Sequence, residues 1–303
     1  MERTGGGGER RRRAGAAAAP PVPLGLAVSE RDFLRFQALI HREAGIWLAP
    51  VKKALLVGRL AKRLRELGLE SYGDYYERVA EDEPERIRML DCICTNETHF
   101  FREPRHFEFL AERIFPAWRD EADAGRRARR VRVWSAACST GEEPYTLAMV
   151  LLTAFPAGWE LEVLATDLST KVLDRAAAGL WAIEKAKEIP DDHLKSFMLK
   201  GFGEQEGLMK AGAEIRAIVR FARVNLVGDS WPAGPPFDLV FCRNVLIYFD
   251  RQAKIGVVDR LVDRLDPRGY LFLGHAESLG GFTTQARPVL PTVYQPMPRS
   301  QRP

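Results

Sequence analysis

Glu142 and Asp167 are the two side chains whose placement most limits the chemistry of this sequence. Glu142 and Glu143 open a helical segment that follows Val131–Ala137, an apolar run of strand length, and the small-residue turn Cys138–Gly141. Strand, tight turn and helix N-terminus together form the place where α/β proteins bind nucleotide-like ligands, because backbone amides converge at the strand's carboxyl end. A dinucleotide would call for the fingerprint G-x-G-x-x-G. Here Gly141 is the one glycine in the turn, preceded by Ser135, Ala136, Ala137, Cys138, Ser139 and Thr140. Two carboxylates oppose a pyrophosphate and suit a cation, such as a ligand carrying an amino group or a sulfonium. Asp167 ends the next apolar run, Leu161–Thr166, 25 residues after Glu142. A carboxylate there is placed to accept hydrogen bonds from both ribose hydroxyls of an adenosine. Each acid alone could be a first-turn or capping residue of a helix; the pair is more specific, and S-adenosylmethionine (SAM) answers to both.

Two further constellations add polar groups. In FDLVFCRNVLIYFD, Phe237–Asp250, a buried strand is expected to end at Cys242, after which Arg243 and Asn244 turn outward and Tyr248 follows one helical turn later. Amino-methyltransferases typically carry Asn/Asp-Pro-Pro-Tyr/Phe at this edge of the crevice. This chain has Arg-Asn-Val-Leu, which argues against a planar NH2 nucleophile. In CTNETHFFRE, Cys94–Glu103, Asn96, Thr98 and Arg102 supply convergent polar groups and Phe100 and Phe101 an apolar wall. A polar linker with two core phenylalanines would read the same way, but junctions between domains are common ligand sites.

The elements that must position these groups fall in two regions. Residues 29–90 read as all-helical. Ser29 reads as the N-cap for a helix through His41, with Asp32 in the capping-box position. A second helix runs Lys52–Leu67 with Leu56, Leu60, Leu64 and Leu67 on one stripe. It carries Lys52, Lys53, Arg59, Lys62, Arg63 and Arg65 and, from Val51 to Arg65, no acid. That is either a solvated face or a docking surface for an acidic partner. Helices from Tyr72 and over about Pro84–Cys94 follow. From Arg130 onward, strand-like runs (131–137, 161–166, 218–226, 237–247, 270–275) alternate with helical ones (142–155, 169–178, 250–265). This pattern predicts a doubly wound, largely parallel sheet in an α/β domain over 91–298.

Bulk properties are permissive. The chain has 303 residues and a net charge of +4, of which residues 1–28 supply +3 through five arginines against two glutamates. That Gly/Ala/Pro-rich tail is expected to lack a core, and the near-neutral remainder argues against a large nucleic-acid footprint. No run is apolar enough to span a bilayer. Cys92, Cys94, Cys138 and Cys242 lack paired metal spacing and are expected to be small buried hydrophobes in a cytoplasmic protein that binds no metal.

Taken in order, TNETHFFRE, SAACSTGEEPY, ATDLS, FARVNL, FCRNVLIYFD and GHAESL make the chain resemble the chemotaxis receptor methyltransferases, the CheR family, from Ser29 to about Pro296. The resemblance implies a small all-α domain joined to a SAM-dependent, Rossmann-like methyltransferase domain, with a small antiparallel β-subdomain inserted at about 188–221. It implies SAM contacts at Asn96, Thr98, Arg102, Glu142, Asp167, Asn225, Leu226, Asn244 and Val245, with S-adenosylhomocysteine as product. It implies glutamate O-methylation of the chemoreceptor cytoplasmic helical bundle, and hence sensory adaptation. No base is needed, so His99, His106 and His275 are expected to be structural, and Arg102 and Tyr248 to line the methyl-transfer locus. The basic helix would dock the acidic bundle, and the protein is expected to be monomeric. The chain ends soon after GHAESL, so no appended tetratricopeptide or response-regulator domain is expected. Other readings are a methyltransferase of another carboxylate and a non-catalytic SAM- or receptor-binding module. A nicotinamide oxidoreductase would want the missing glycines.

Overall fold

In the computed structural model, residues 27–281 and 285–298 are described. Most of the expected tail, residues 1–26, therefore lies outside them. Four helices, α1 (Glu30–Ala44), α2 (Lys53–Leu67), α3 (Tyr72–Glu81) and α4 (Glu83–Ile93), make the N-terminal unit. Ser29 caps α1 by accepting the Asp32 N–H at 3.0 Å, and its hydroxyl donates to the Asp32 carboxylate. Gly45 ends the helix at φ 68°, three residues beyond the expected stop. Phe33, Phe36, Leu56, Leu60, Leu64, Tyr75, Val79 and Met89 form its buried core. One charge lies inside: Glu85 is fully buried, clamped by Arg63 (2.5 and 2.7 Å) and the Tyr75 hydroxyl (3.0 Å).

After α5 (Arg105–Phe109) and α6 (Phe115–Asp123) the chain enters a seven-stranded sheet. Its first strands are β1 (Arg130–Ala136) and β2 (Glu160–Asp167), joined by α7 (Glu142–Ala154), with α8 (Thr170–Ala178) following. A separate three-stranded antiparallel sheet then holds β3 (Leu180–Ala182), β4 (Met198–Lys200) and β5 (Leu208–Ala211). It starts eight residues before the expected insertion, and β6 (Val219–Arg223), partly inside that expected range, belongs to the large sheet. The chain continues through β7 (Phe237–Cys242), β8 (Leu265–Leu273), β9 (Ala286–Leu290) and β10 (Val293–Pro296), in the order β6-β2-β1-β7-β8-β10-β9. The first five in that order are mutually parallel. The β9–β10 hairpin pairs antiparallel on β8, an edge absent from the sequence pattern.

Alternation along β1 explains why both faces are covered. Val131 and Val133 join one core with Leu147, Leu151, Phe241 and Phe272, while Trp134 and Ala136 join the other with Val240, Val257, Leu261 and Leu271. The chain runs outward from β1 through β2 to β6, then returns to β7 beside β1 and runs outward the other way through β8, so the sheet has its switch point between β1 and β7. A crevice is expected outside their carboxyl ends. Among the described residues no helix is long and apolar enough to cross a membrane.

Candidate active site

At that switch point lies a cleft of about 1250 Å³, its open mouth included, between the α/β domain and the helical unit. It is walled by the turn after β1, the ends of β2, β6 and β7, the linker 94–102, and Ala44–Leu48. The two units are sewn together along it. Ile46 bridges Phe249, Trp47 N–H donates to the Tyr248 carbonyl at 3.0 Å, and Asn225 Nδ2 donates to the Glu43 carbonyl at 2.6 Å. Arg59 reaches from α2 to the Ile93 carbonyl, to the Cys94 carbonyl (2.7 Å) and to Thr95 Oγ1 (2.8 Å), fixing the start of the linker.

The turn after β1 is built from left-handed backbone: Ala137, Ser139 and Gly141 have φ of 71°, 49° and 97°. This folds the Ala137 and Cys138 N–H groups onto the Thr166 carbonyl, each at 2.8 Å, and aims Ser139 N–H at Asp167 Oδ2, 2.9 Å away. Asp167 Oδ1 takes Ser169 N–H at 2.9 Å. Burial pushes the Asp167 carboxyl above its ordinary range, against the pull of these N–H groups. Each oxygen keeps a lone pair for ligand hydroxyls.

Asn96, Thr98, Arg102, Asp167, Asn225, Leu226, Asn244, Val245 and Tyr248 all line this cleft, as does His99. Glu142 does not. It is 1% exposed, and Lys185 holds it at 2.8 Å while also donating to the Thr98 carbonyl at 3.1 Å. Glu142 thus fixes the linker through Lys185, and Glu143 is the acid on the cleft wall. Consecutive helical residues point about 100° apart, and here the rotation of α7 presents Glu143 to the cleft. Burial raises the Glu143 carboxyl above its usual range; Arg243 and the Ser135 hydroxyl work against that rise. Neutralisation by a bound cation would favour the ionised form.

Arg243 does not turn outward either. Its side chain is 2% exposed and spans Glu103 (3.2 Å), Glu143 (3.2 Å) and the Arg102 carbonyl. Charge at a strand end predicted exposure, but three acceptors from distant segments bury it. The strand stops at Cys242 because Asn244 adopts φ 59° and gives its N–H to Glu277 at 2.8 Å. Glu277 also takes Gly274 N–H (2.7 Å) and Ile247 N–H (3.3 Å). A Cβ at position 274 would lie 2.8 Å from the Asn244 backbone nitrogen, so this approach needs glycine. Glu103 and Glu277 were not singled out in the sequence, although TNETHFFRE and GHAESL contain them. Arg102 lines the cleft with no ion pair among the described residues, its guanidinium touching only the Glu97 carbonyl at 3.1 Å.

The basic face of α2 is narrower than its sequence implied. Arg63 is committed to Glu85, Arg59 to the linker, and Lys53 pairs with Glu30 at 3.1 Å. Lys62 approaches Glu66 at 3.9 Å, which leaves Lys52 and Arg65 without an ion pair among the described residues.

Comparison with known proteins agrees with this architecture. The family domain described as "CheR methyltransferase, SAM binding domain" matches residues 96–294, and "CheR methyltransferase, all-alpha domain" matches 31–94. A chemotaxis protein methyltransferase of Salmonella typhimurium is 38% identical over 89% of this chain and 91% of its own length. One from Escherichia coli is 39% identical over 84% and 86%. A third, chemotaxis protein methyltransferase 2 of Pseudomonas aeruginosa, is 36% identical over 88% and 94%.

Proposed function

The chain belongs to the CheR methyltransferase family, and from that premise we propose that it methylates glutamate side chains in the cytoplasmic helical bundle of chemoreceptors, using SAM and giving γ-methyl esters. The observation that carries this reading is Arg102, without an ion pair among the described residues, in a cleft that also holds two buried acids, Asp167 and Glu143. Such a wall suits a cationic cofactor, and the free guanidinium suits an incoming carboxylate. Bound SAM would supply an electrophilic methyl on a sulfonium.

The chain's own groups have four tasks in this scheme. Asp167 accepts the ribose hydroxyls. Asn96, Thr98, Asn225, Leu226, Asn244 and Val245 line the remaining walls. Glu143 balances positive charge. Arg102 and Tyr248 orient the attacking carboxylate at the mouth. No residue need act as base, because a glutamate with pKa about 4.3 is already ionised near neutrality. Transfer annihilates one negative and one positive charge, so catalysis rests on orientation and water exclusion. Each methyl removes one negative charge from the receptor, relaxing repulsion in its bundle.

Docking is assigned to the cleft-facing end of α2. There Lys52 lines the cleft and Val51, Leu55, Trp47 and Ile247 are exposed apolar side chains around it. Lys62 and Arg65 extend the positive charge along the helix.

The test is methyl transfer from labelled SAM to receptor-containing membranes, followed by mild alkali. Alkali-labile label recovered as methanol supports glutamate esterification. Alkali-stable label would mean another nucleophile, and SAM binding without transfer would mean a binding module.

A pH effect follows from the raised Asp167 and Glu143 carboxyls. Their neutral forms become populated at higher pH than an ordinary carboxyl near about 4, and protonation removes an acceptor or a counter-charge. SAM affinity should therefore fall as pH drops, starting above that range. Calorimetry from about pH 8 to about pH 5 checks it; affinity that stays level throughout would contradict the assignment.

A further inference from the structure

We propose that Glu103, His106 and His275 form a binding site for one divalent transition-metal ion of the zinc class, behind the cleft wall. The three side chains come from different segments: Glu103 closes the linker motif, His106 lies on α5, and His275 follows β8. Their potential ligand atoms all lie within 4.8 Å of one another. Glu103 Oε2 is 3.6 Å from His106 Nδ1 and 3.9 Å from His275 Nε2. Tetrahedral zinc with bonds of about 2.0–2.1 Å sets its ligand atoms roughly 3.4 Å apart, so the two Glu103 pairs need to close by only a few tenths of an ångström, and the two imidazoles start no more than 4.8 Å apart.

His106 supplies an independent argument. The Thr292 hydroxyl donates to the Pro291 carbonyl at 2.6 Å, so its oxygen accepts from His106 Nε2–H, 2.9 Å away. In that arrangement Nε2 carries the proton and Nδ1 is left as a bare lone pair. This nitrogen is buried, has no hydrogen-bond partner, and belongs to a side chain only 4% exposed. It faces a carboxylate, which has no proton to give. A buried acceptor left unpaired is destabilising, and a metal ion between the two would satisfy both.

The surroundings are those of a ligand pair held in advance. Thr292 is the outer partner that fixes the imidazole, and Phe272 packs edge-on against the ring with centroids 5.3 Å apart. Burial, then Arg243, brings the His106 pKa down to about 4, so the ring is neutral near pH 7. His275, 61% exposed in its side chain, gives the ion a way in. Two imidazoles with one carboxylate favour zinc-like ions over magnesium or calcium. Arg243, 3.2 Å from Glu103 Oε2, opposes a cation; Glu143 and Glu277 nearby offset it. Glu103 Oε1 meanwhile accepts His275 N–H at 3.0 Å and faces Asn244 Nδ2 at 3.4 Å, which ties the site to the cleft wall.

The experiment titrates the metal-free full chain with Co²⁺. One equivalent per chain should give a visible d–d band that Zn²⁺ abolishes. His275→Ala should lose the band and bind Zn²⁺ at least about tenfold more weakly, with unchanged thermal stability and metal-free methyl transfer. No band at one equivalent, or unaltered Zn²⁺ affinity in H275A, would overturn the site. A near-ultraviolet thiolate charge-transfer band would also overturn it, by placing the ion on a cysteine.

Discussion

Arg102→Ala is expected to lower methyl transfer about 100-fold, the scale on which misplaced reactants cost rate, or about 2.7 kcal/mol of transition-state stabilisation. The side chain holds little of the fold together. Its guanidinium meets the Glu97 carbonyl at 3.1 Å, whereas the structural contact of this residue is its main-chain carbonyl, which Arg243 takes and alanine keeps. Thermal stability should therefore stay near wild type. The kinetic split locates the anion that Arg102 meets. If it orients the receptor glutamate, kcat falls while SAM affinity changes little. If it holds the cofactor's own carboxylate, SAM affinity falls by a similar factor. Arg102→Lys should recover only part of the loss, because an ammonium cannot reproduce the planar two-point fork. Its charge also lowers the Glu143 carboxyl, so the acid limb of the alanine variant should move to higher pH. Near-normal turnover in R102A would remove Arg102 from the methyl-transfer locus.

The sequence made element types legible where a period ran long enough. β1, β2 and α7 announce themselves by apolar alternation and by helix-favouring residues after a turn. β3 does not, since Leu180–Ala182 offers three residues after Gly179, too few for any period to show. β9 does not either: four of its five residues are exposed and Pro288 interrupts it, so it carries no buried face to read. Site residues were legible as types, whereas their partners were not. Glu142 and Glu143 are adjacent and chemically identical, and the rotation of α7 about its axis decides which reaches the cleft. Arg243 finds Glu103 140 residues away and Glu143 100 residues away, separations at which local spacing says nothing. His106 looked structural for the sound reason that no base is needed. Its unpartnered Nδ1 becomes visible only once the fold sets Thr292 against Nε2 and Glu103 near Nδ1.

Arg243→Met should destabilise the fold by about 3–5 kcal/mol, the range for removing one partner of a buried ion pair. At roughly 2–4 °C per kcal/mol this lowers Tm by about 10 °C. Methionine keeps the stem's volume but strands two carboxylates, Glu103 at 8% and Glu143 at 13% side-chain exposure. In the native protein burial pushes the Glu103 carboxyl up, yet Arg243 and the His275 N–H outweigh this and hold it below its ordinary range. A depressed carboxyl contributes stability that is present above the unfolded pKa and lost as pH falls through the folded one. Without the guanidinium both carboxyls would be raised, a burden at neutral pH that protonation relieves. The gap between native protein and variant should therefore be widest near neutrality and narrow as pH falls toward the carboxylate range. Denaturation at several pH values tests both size and sign. Adding Glu103→Gln should restore part of the lost stability, since the two residues share one network and their effects cannot add. A single variant with native Tm, or a gap that widens in acid, would show that Arg243 is not the cation holding these acids together. The same result would release the Arg102 carbonyl from its anchor. Then the placement of Arg102 at the cleft would have to come from the linker alone, through Lys185 on the Thr98 carbonyl and Arg59 on the carbonyl of Cys94.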